Sequence, residues 1–263
     1  METVLKFNPN PPRVAYRPWR ETPLAESYRL RYRVFCQEKG FFDHQAYQDE
    51  YEIDSYDRHA IHIMVTRRNA KKNGLEEVIG TTRVIPHTKC GLPTEKFCDN
   101  LYSLLPECVQ SEKMGEISRL CIAREHRLRS ISLERTSFTP GNNQAHQRYS
   151  PVLVFLLKGI HIATRELGIQ YVIAAMEGGL ARILFKNGIA LAPLMDDWID
   201  YYGNVKVYGS SIKEIMNGLK KNAPAVSEII LSSTAFGDED HHRLHIFCDD
   251  SQKKFSECIA RRK

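Results

Sequence analysis

The sequence predicts one mixed α/β (α+β) domain, with a mostly antiparallel sheet, a single strand–helix–strand crossover and helices on its faces. Three observations support this. Residues 59–66 and 78–85 read as strands joined by the polar turn KKNGLEE. Residues 150–177 read as a long apolar-faced helix leading into a strand. The 263 residues, 42% of them hydrophobic, suit one large core better than two small ones.

Five of the twelve prolines fall between residues 8 and 23, so residues 1–22 are expected to be an extended arm. Thr22 and Pro23 give a capping hydroxyl and a proline at the first helical position, and Gly40 stops the helix that follows. Leu24, Tyr28, Arg31 and Phe35 share one stripe of it. Arg31 thus stands where an apolar side chain is expected and needs a buried acidic partner. Ile61, Ile63 and Val65 alternate along the first strand. Residues 86–113 are expected to be an irregular excursion with a short helix, and residues 116–123 to be a central strand. Ser150 and Pro151 start the clearest helix, with Val152, Phe155, Leu156, Gly159, Ile160, Ala163 and Leu167 on its buried face and Gly168 at its end. A strand (171–177), a short helix and strands around 194–209 follow. The domain is expected to span 23–210, with 211–263 a partly helical C-terminal extension.

No apolar run approaches the ~18 residues of a membrane helix; the longest, Pro151–Leu157, ends at Lys158. The N-terminus shows no secretory pattern, and seven cysteines without a CxxC pair suit reduced thiols, so a cytoplasmic location is expected. A formal charge of +5 is too mild to call for nucleic acid, though it allows a local basic patch. His242, His245 and Cys248 lack a clear fourth ligand, so no metal site is assigned.

Polar residues recur where burial is expected: Arg31, the pair Asp54 and Asp57, Arg83 within a strand, and Glu116 with Arg119 in the central strand. An acidic loop is usually solvated and a strand arginine usually reaches the surface. Three arginines and three carboxylates on core elements together point to a site.

The ordered motifs Arg31-x3-Phe35-x5-Phe41, Asp54-x2-Asp57, Gly80–Arg83 (GTTR) and Glu116-x-Ser-Arg119 resemble the acyl-homoserine-lactone synthases, which share the GNAT-like acyl-CoA N-acyltransferase fold. Phe41 stands where those synthases usually carry tryptophan. The segments VFCQEKGFFD and EISRL resemble more closely the acyltransferases associated with PEP-CTERM/exosortase systems, and the N-acyl amino acid synthases are also similar. This resemblance implies a central mostly antiparallel sheet with one splayed parallel strand pair. It also implies an N-acyltransferase that moves a fatty acyl chain from acyl carrier protein to an amine, with no bound cofactor.

On that basis Glu116 is the expected base, with Arg119 beside it, provided a β-bulge at Ile117 or Ser118 brings both to one face. Arg31, Phe35, Phe41, Asp54, Asp57 and Arg83 form the expected acceptor side. The stretch REHRLRSISLER has no glycine to cradle a pyrophosphate, so Arg124, Arg127, Arg129 and Lys158 are expected to receive an acidic carrier protein. The helix 151–167, with Val172, Ile173 and Ala175, is a candidate lining for an acyl tunnel. The rival readings are a homoserine-lactone synthase using S-adenosylmethionine and a non-catalytic sensor of acyl chains or their carrier.

Overall fold

The structure, a computed structural model, describes residues 23–69, 75–127, 131–132, 148–201, 203–232 and 242–248. The expected arm and Arg129 lie outside them.

The chain opens with α1 (Pro23–Arg31), which widens into a π-helical stretch over Tyr32–Glu38. Strands β1 (Ile61–Asn69) and β2 (Leu75–Pro86) form the expected hairpin. Residues between β2 and β3 hold short 3₁₀ turns at Pro93–Lys96, Leu101–Leu104 and Ser111–Lys113. Then come β3 (Met114–Ile122), the single turn α2 (Arg124–Arg127), and the small pair β4 (Ile131–Ser132) and β5 (Arg148–Tyr149). Helix α3 (Pro151–Glu166) leads to β6 (Tyr171–Glu177) and α4 (Gly178–Lys186). The remainder is β7 (Ala192–Pro193), β8 (Ile199–Asp200), β9 (Asn204–Ser211), α5 (Ile212–Asn222), α6 (Pro224–Leu231) and β10 (His242–Cys248).

The sheet runs β10-β1-β2-β3-β6-β9-β7, with β8 also on β9. β3–β6 is parallel, because α3 carries the chain back across the sheet, and the other described pairs are antiparallel. This pair is short: Met114, Gly115 and Glu116 face Tyr171, Val172 and Ile173, and the two strands then part.

α3 starts as the sequence predicts. Ser150 Oγ accepts from Leu153 N, and Gly168 closes the helix at φ +68°. One of its faces meets Ile61, Ile63, Val65 and Ile79. Another meets Leu184, Leu219, Val226 and Ile230 of the C-terminal helices. The opposite side of the sheet is covered by α1 and the π-helical stretch, where Leu30 and Val34 pack on Met64, Val78 and Cys121.

The segment after residue 210 continues into this same core. α5 begins with a capping box between Ser211 and Glu214. β10, which reads in sequence as a mixed tail, is a strand of the main sheet: Ile61 faces Cys248 and Arg67 faces His242. Strand alternation turns His242, Leu244, Ile246 and Cys248 to the α3 side. It turns His245 away, to a hydrogen bond with Thr66 Oγ1 at 2.9 Å. The H-x-x-H-x-x-C spacing therefore does not converge on one point.

At Gly159 α3 comes close to the sheet. A Cβ there would lie 2.4 Å from Ile63 Cγ2 and 3.1 Å from Leu244 Cδ1. Gly159→Ala should therefore destabilise the protein by about 1–3 kcal/mol through overpacking, despite alanine's better helix propensity. Chemical denaturation checks this: the midpoint should fall with an unchanged slope.

Candidate active site

Three arginines from three elements meet three carboxylates from one loop. Arg31 on α1 donates from Nε to Glu52 Oε2 at 2.5 Å and forms a bidentate pair with Asp57 at 2.7 and 3.0 Å. Arg83 on β2 is bidentate to Asp54 at 2.7 Å on both oxygens, and it also reaches Asp57 Oδ1 at 2.6 Å and Ser118 Oγ at 3.0 Å. Arg119 on β3 donates to Glu52 at 3.1 and 3.2 Å and to Asp54 at 3.1 Å. The loop is held in shape by its own carboxylates. Asp54 caps the turn Ser55–His59, and Asp57 Oδ2 accepts from Asp54 N at 2.8 Å.

Burial works against the charges of Asp54, Asp57 and the three arginines, and the pairing overrides it. Asp57 is held well below the usual carboxylate range by Arg31 and Arg83, and Asp54 is lowered by Arg83 and Arg119. The three guanidiniums are raised by the same contacts. The neighbouring His62 is pushed down to about 4 by burial and stays neutral.

Glu116, the third carboxylate expected here, is not a member; Glu52, fully buried, takes that place. Nothing local in the sequence marks it, since it sits in the acidic stretch DEYEIDSYD, which has the composition of a solvated loop.

Glu116 stands alone by contrast. It is 2% exposed, and Oε2 accepts from Thr94 N at 2.9 Å. Burial pushes its pKa up to about 7, against the lowering effects of the Thr94 hydrogen bond, Arg83 and Arg119. The expected bulge lies slightly further on, at Arg119, where φ is +55° and the β2–β3 register shifts between Thr81 and Arg83. It puts Arg119 on the same face as Glu116, the face that carries the ion network.

A cavity of about 550 Å³ occupies the gap where β3 and β6 part. On the α1 side it is lined by Phe35, Phe41, Phe42, Glu116 and Arg119, and on the α3 side by Leu153, Leu157, Ile160, Ile215 and Leu219. The cavity therefore joins the two faces of the sheet. Arg119 lies over the Phe42 ring at 4.7 Å and is 14% exposed in its side chain. Phe35 and Phe41 stack at 6.4 Å. Gly203, at φ +105°, leaves room for the Phe41 ring, which a Cβ there would meet at 2.9 Å. Lys39–Glu177 (3.0 Å) and Arg127–Glu38 (2.6 Å) tie the rim together.

The structure thus gathers Phe35, Phe41, Glu116 and Arg119 around one cavity. Arg31, Asp54, Asp57 and Arg83 lie behind its wall and hold it, instead of facing the interior as acceptor contacts. Lys158 is not a surface cation: it is buried beside α6 and donates to Ser232 Oγ at 3.1 Å. Arg127 is engaged with Glu38 and the Ile122 carbonyl, and Arg124 is exposed. Val172 and Ile173 belong to the core, while Ala175 does line the cavity.

Residues 30–134 match the acetyltransferase (GNAT) domain family. With its mixed sheet and one splayed parallel pair, the chain carries an acyltransferase domain of the GNAT type. Among solved structures it is similar to the CoA-dependent acyl-homoserine lactone synthase BjaI with SAM and isopentyl-CoA, at 19% identity and TM-score 0.53, over 80% of this chain and 92% of that one. It is also similar to the AHL synthase LasI (18%, TM-score 0.48, 75% and 87%) and to FeeM, an N-acyl amino acid synthase from uncultured soil microbes (12%, TM-score 0.37, 54% and 65%). At 19% identity the likeness to BjaI speaks for the fold alone. No curated protein matches the chain in sequence.

Arg31→Met should cost about 3–5 kcal/mol of stability, because it leaves buried carboxylates uncompensated. Arg31→Lys should recover only part of that, since it cannot form the bidentate pair. Because Asp57 is depressed in the fold, its contribution is present above the unfolded carboxylate value of ~3.9 and is lost as pH falls below it. Urea titrations at neutral and acidic pH check both statements: the gap between wild type and Arg31→Met should narrow on the acid side.

Proposed function

We propose that this protein transfers an acyl group from a phosphopantetheine thioester to the amine of a small acceptor that also carries a carboxylate. The observation that carries the reading is Glu116: a buried carboxyl, pushed up to about 7, on the wall of a cavity that passes between the two faces of the sheet. A base with that pKa is partly ionised near neutral pH and can take the amine proton, directly or through a water. The amine nitrogen attacks the thioester carbonyl, the C–N bond forms, the C–S bond breaks, and the thiol leaves with a proton. Beyond Glu116, β3 has no pairing with β6. Those N–H groups of residues 117–120 that β2 does not take are thus available to a developing oxyanion in the gap.

The ion network also bears on the acceptor. Each of its carboxylates is already neutralised by arginines, so the wall offers the cavity the Arg119 guanidinium and no free acid from the network. A carboxylate-bearing amine, such as an amino acid, suits that cation. The aromatic group Phe35, Phe41 and Phe42 would pack against its side chain. The apolar α3 side suits the acyl chain.

We assign the thioester to acyl carrier protein because the stretch after β3 lacks glycines for a pyrophosphate cradle and Arg124 is exposed on α2, the turn whose Arg127 lines the cavity. The wording of VFCQEKGFFD and EISRL supports a place beside the PEP-CTERM/exosortase-associated acyltransferases, and the free cysteines suit a cytoplasmic location.

Intact mass spectrometry of lipid extracts from cells expressing the protein tests the reading and identifies the acceptor. A new N-acyl species should appear and be lost with Glu116→Gln; its persistence in that variant would sink Glu116 as base. Transfer should rise with pH through about 7 as Glu116 ionises. The same raised pKa makes ionisation costly to the fold as pH climbs from the unfolded value towards 7. Glu116→Gln should therefore gain up to roughly 3 kcal/mol over wild type at pH 8 and little at pH 4, read by thermal melts. A non-catalytic sensor would show the stability effect and no product.

For the donor, Arg124→Glu should slow transfer from the carrier protein several-fold, most at low salt, and leave transfer from a free pantetheine thioester unchanged. Equal slowing of both would remove Arg124 from the docking surface.

A further inference from the structure

Only one oxygen of Glu116 is anchored. Oε2 accepts from Thr94 N at 2.9 Å, while Oε1 has no partner among the described residues. Oε1 is not sealed in like the buried orphaned atoms, so it keeps access to the cavity that Glu116 lines. Thr94 itself is fully buried, and its hydroxyl is one of those orphans: Oγ1 has no partner in hydrogen-bond geometry among the described residues. An atom so enclosed can serve no ligand in the cavity. What it can serve is the carboxyl beside it, since the hydroxyl and the N–H of Thr94 both lower the pKa of Glu116. A valine of the same shape would avoid the cost of an unpaired buried hydroxyl.

The 3₁₀ turn Pro93–Lys96 holds Thr94 in place without help from Glu116. Glu95 Oε1 accepts from Leu92 N at 3.0 Å and from Tyr102 Oη at 2.6 Å, and the Thr94 carbonyl accepts from Phe97 N at 3.2 Å and Cys98 N at 3.1 Å. The other groups around Glu116 are committed elsewhere. Arg83 from β2 and Arg119 from β3 are bound to the carboxylates of the network. Tyr56, from the turn Ser55–His59, is pushed up to about 12 by burial and by Glu116, and its hydroxyl donates to the Leu92 carbonyl. On the β6 side Glu116 faces Ile173, which is apolar.

We propose that Thr94 is the positioning residue of Glu116: its N–H holds Oε2 so that Oε1 faces the cavity, and its hydroxyl turns to the carboxyl when Glu116 ionises. The pairing of the two residues is argued from geometry, while the part of Glu116 as a base rests on the acyl-transfer reading above. The hydroxyl thus favours the ionised form and brings the base into use at a lower pH than burial alone would allow.

Two measurements test this on Thr94→Val, which removes the hydroxyl and keeps the N–H and the shape, and on Thr94→Ser, which keeps both donors. The first needs no substrate. In thermal melts across about pH 4–9, the gain of Glu116→Gln over its parent begins above the unfolded carboxyl value of ~4.3 and levels off once Glu116 is ionised in the fold. Loss of a donor to the carboxylate raises that levelling point. It should move up by about one pH unit in the Thr94→Val background and stay in place in the Thr94→Ser background. The melts also show that each variant folds. The second measurement is transfer from decanoyl-pantetheine to an equimolar mixture of the common amino acids, read by mass spectrometry. Thr94→Val should be about tenfold slower than wild type near pH ~6 and approach it near pH ~9, with Thr94→Ser close to wild type throughout. An unmoved levelling point in Thr94→Val, a rate lowered equally at every pH, or a Thr94→Ser protein that behaves like Thr94→Val would overturn the proposal and leave acyl transfer standing. A moved levelling point with no product from any of the proteins would sink transfer to an amino acid and leave the pairing of Thr94 with Glu116 standing.

Discussion

The charge-paired block of Arg31, Arg83 and Arg119 with Glu52, Asp54 and Asp57 is the constraint on which the rest depends. It joins α1, β2, β3 and the loop between the π-helical stretch and β1 with hydrogen bonds of fixed geometry. Removing six charges from water is expensive, and such a block persists only if every partner is in place. Its members come from sequence-distant segments, so its completion fixes their mutual positions to within a bond length. The cavity wall on the α1 side follows from that: Arg119 is anchored from behind, and Phe35 and Phe42 pack around its exposed edge.

The separation of labour between this block and Glu116 is an electrostatic one. Asp54 and Asp57, held down by their arginines, stay ionised at neutral pH and hold shape. Glu116, with a backbone N–H and distant arginines, is left near its own titration point. One site thus contains both fixed and switchable carboxylates, distinguished by what each can hydrogen-bond to. The bulge at Arg119 makes the arrangement possible, since without it Arg119 and Glu116 would lie on opposite faces.

Much of this was legible in the sequence because it departs from pattern. Arg31 on an apolar stripe and Arg83 inside a strand announce burial with partners, and both are buried and paired. Glu52 was not legible, because DEYEIDSYD has the composition of a solvated loop and nothing local shows that two arginines reach it. Lys158 misled for the opposite reason. A lysine on a helix normally marks the wet face, yet α6 covers that side of α3, and periodicity within α3 cannot report a cover supplied from residues 224–231. The edge strand β10 was obscured by His242, Arg243 and His245, since His242 shares a face with Leu244, Ile246 and Cys248 and the alternation is recognisable only once β1 is beside it.

That last strand has a consequence for how the molecule is made. β1 and β2 are neighbours in the chain and can pair early, but the other edge of β1 must wait for residues 242–248. During synthesis the outer edge of β1 is an open row of backbone donors and acceptors beside a hydrophobic surface. Such an edge templates pairing with another chain. The nascent protein is therefore most vulnerable to aggregation between completion of the β1–β2 hairpin and arrival of β10, which makes this docking of a late strand a natural target for chaperone protection.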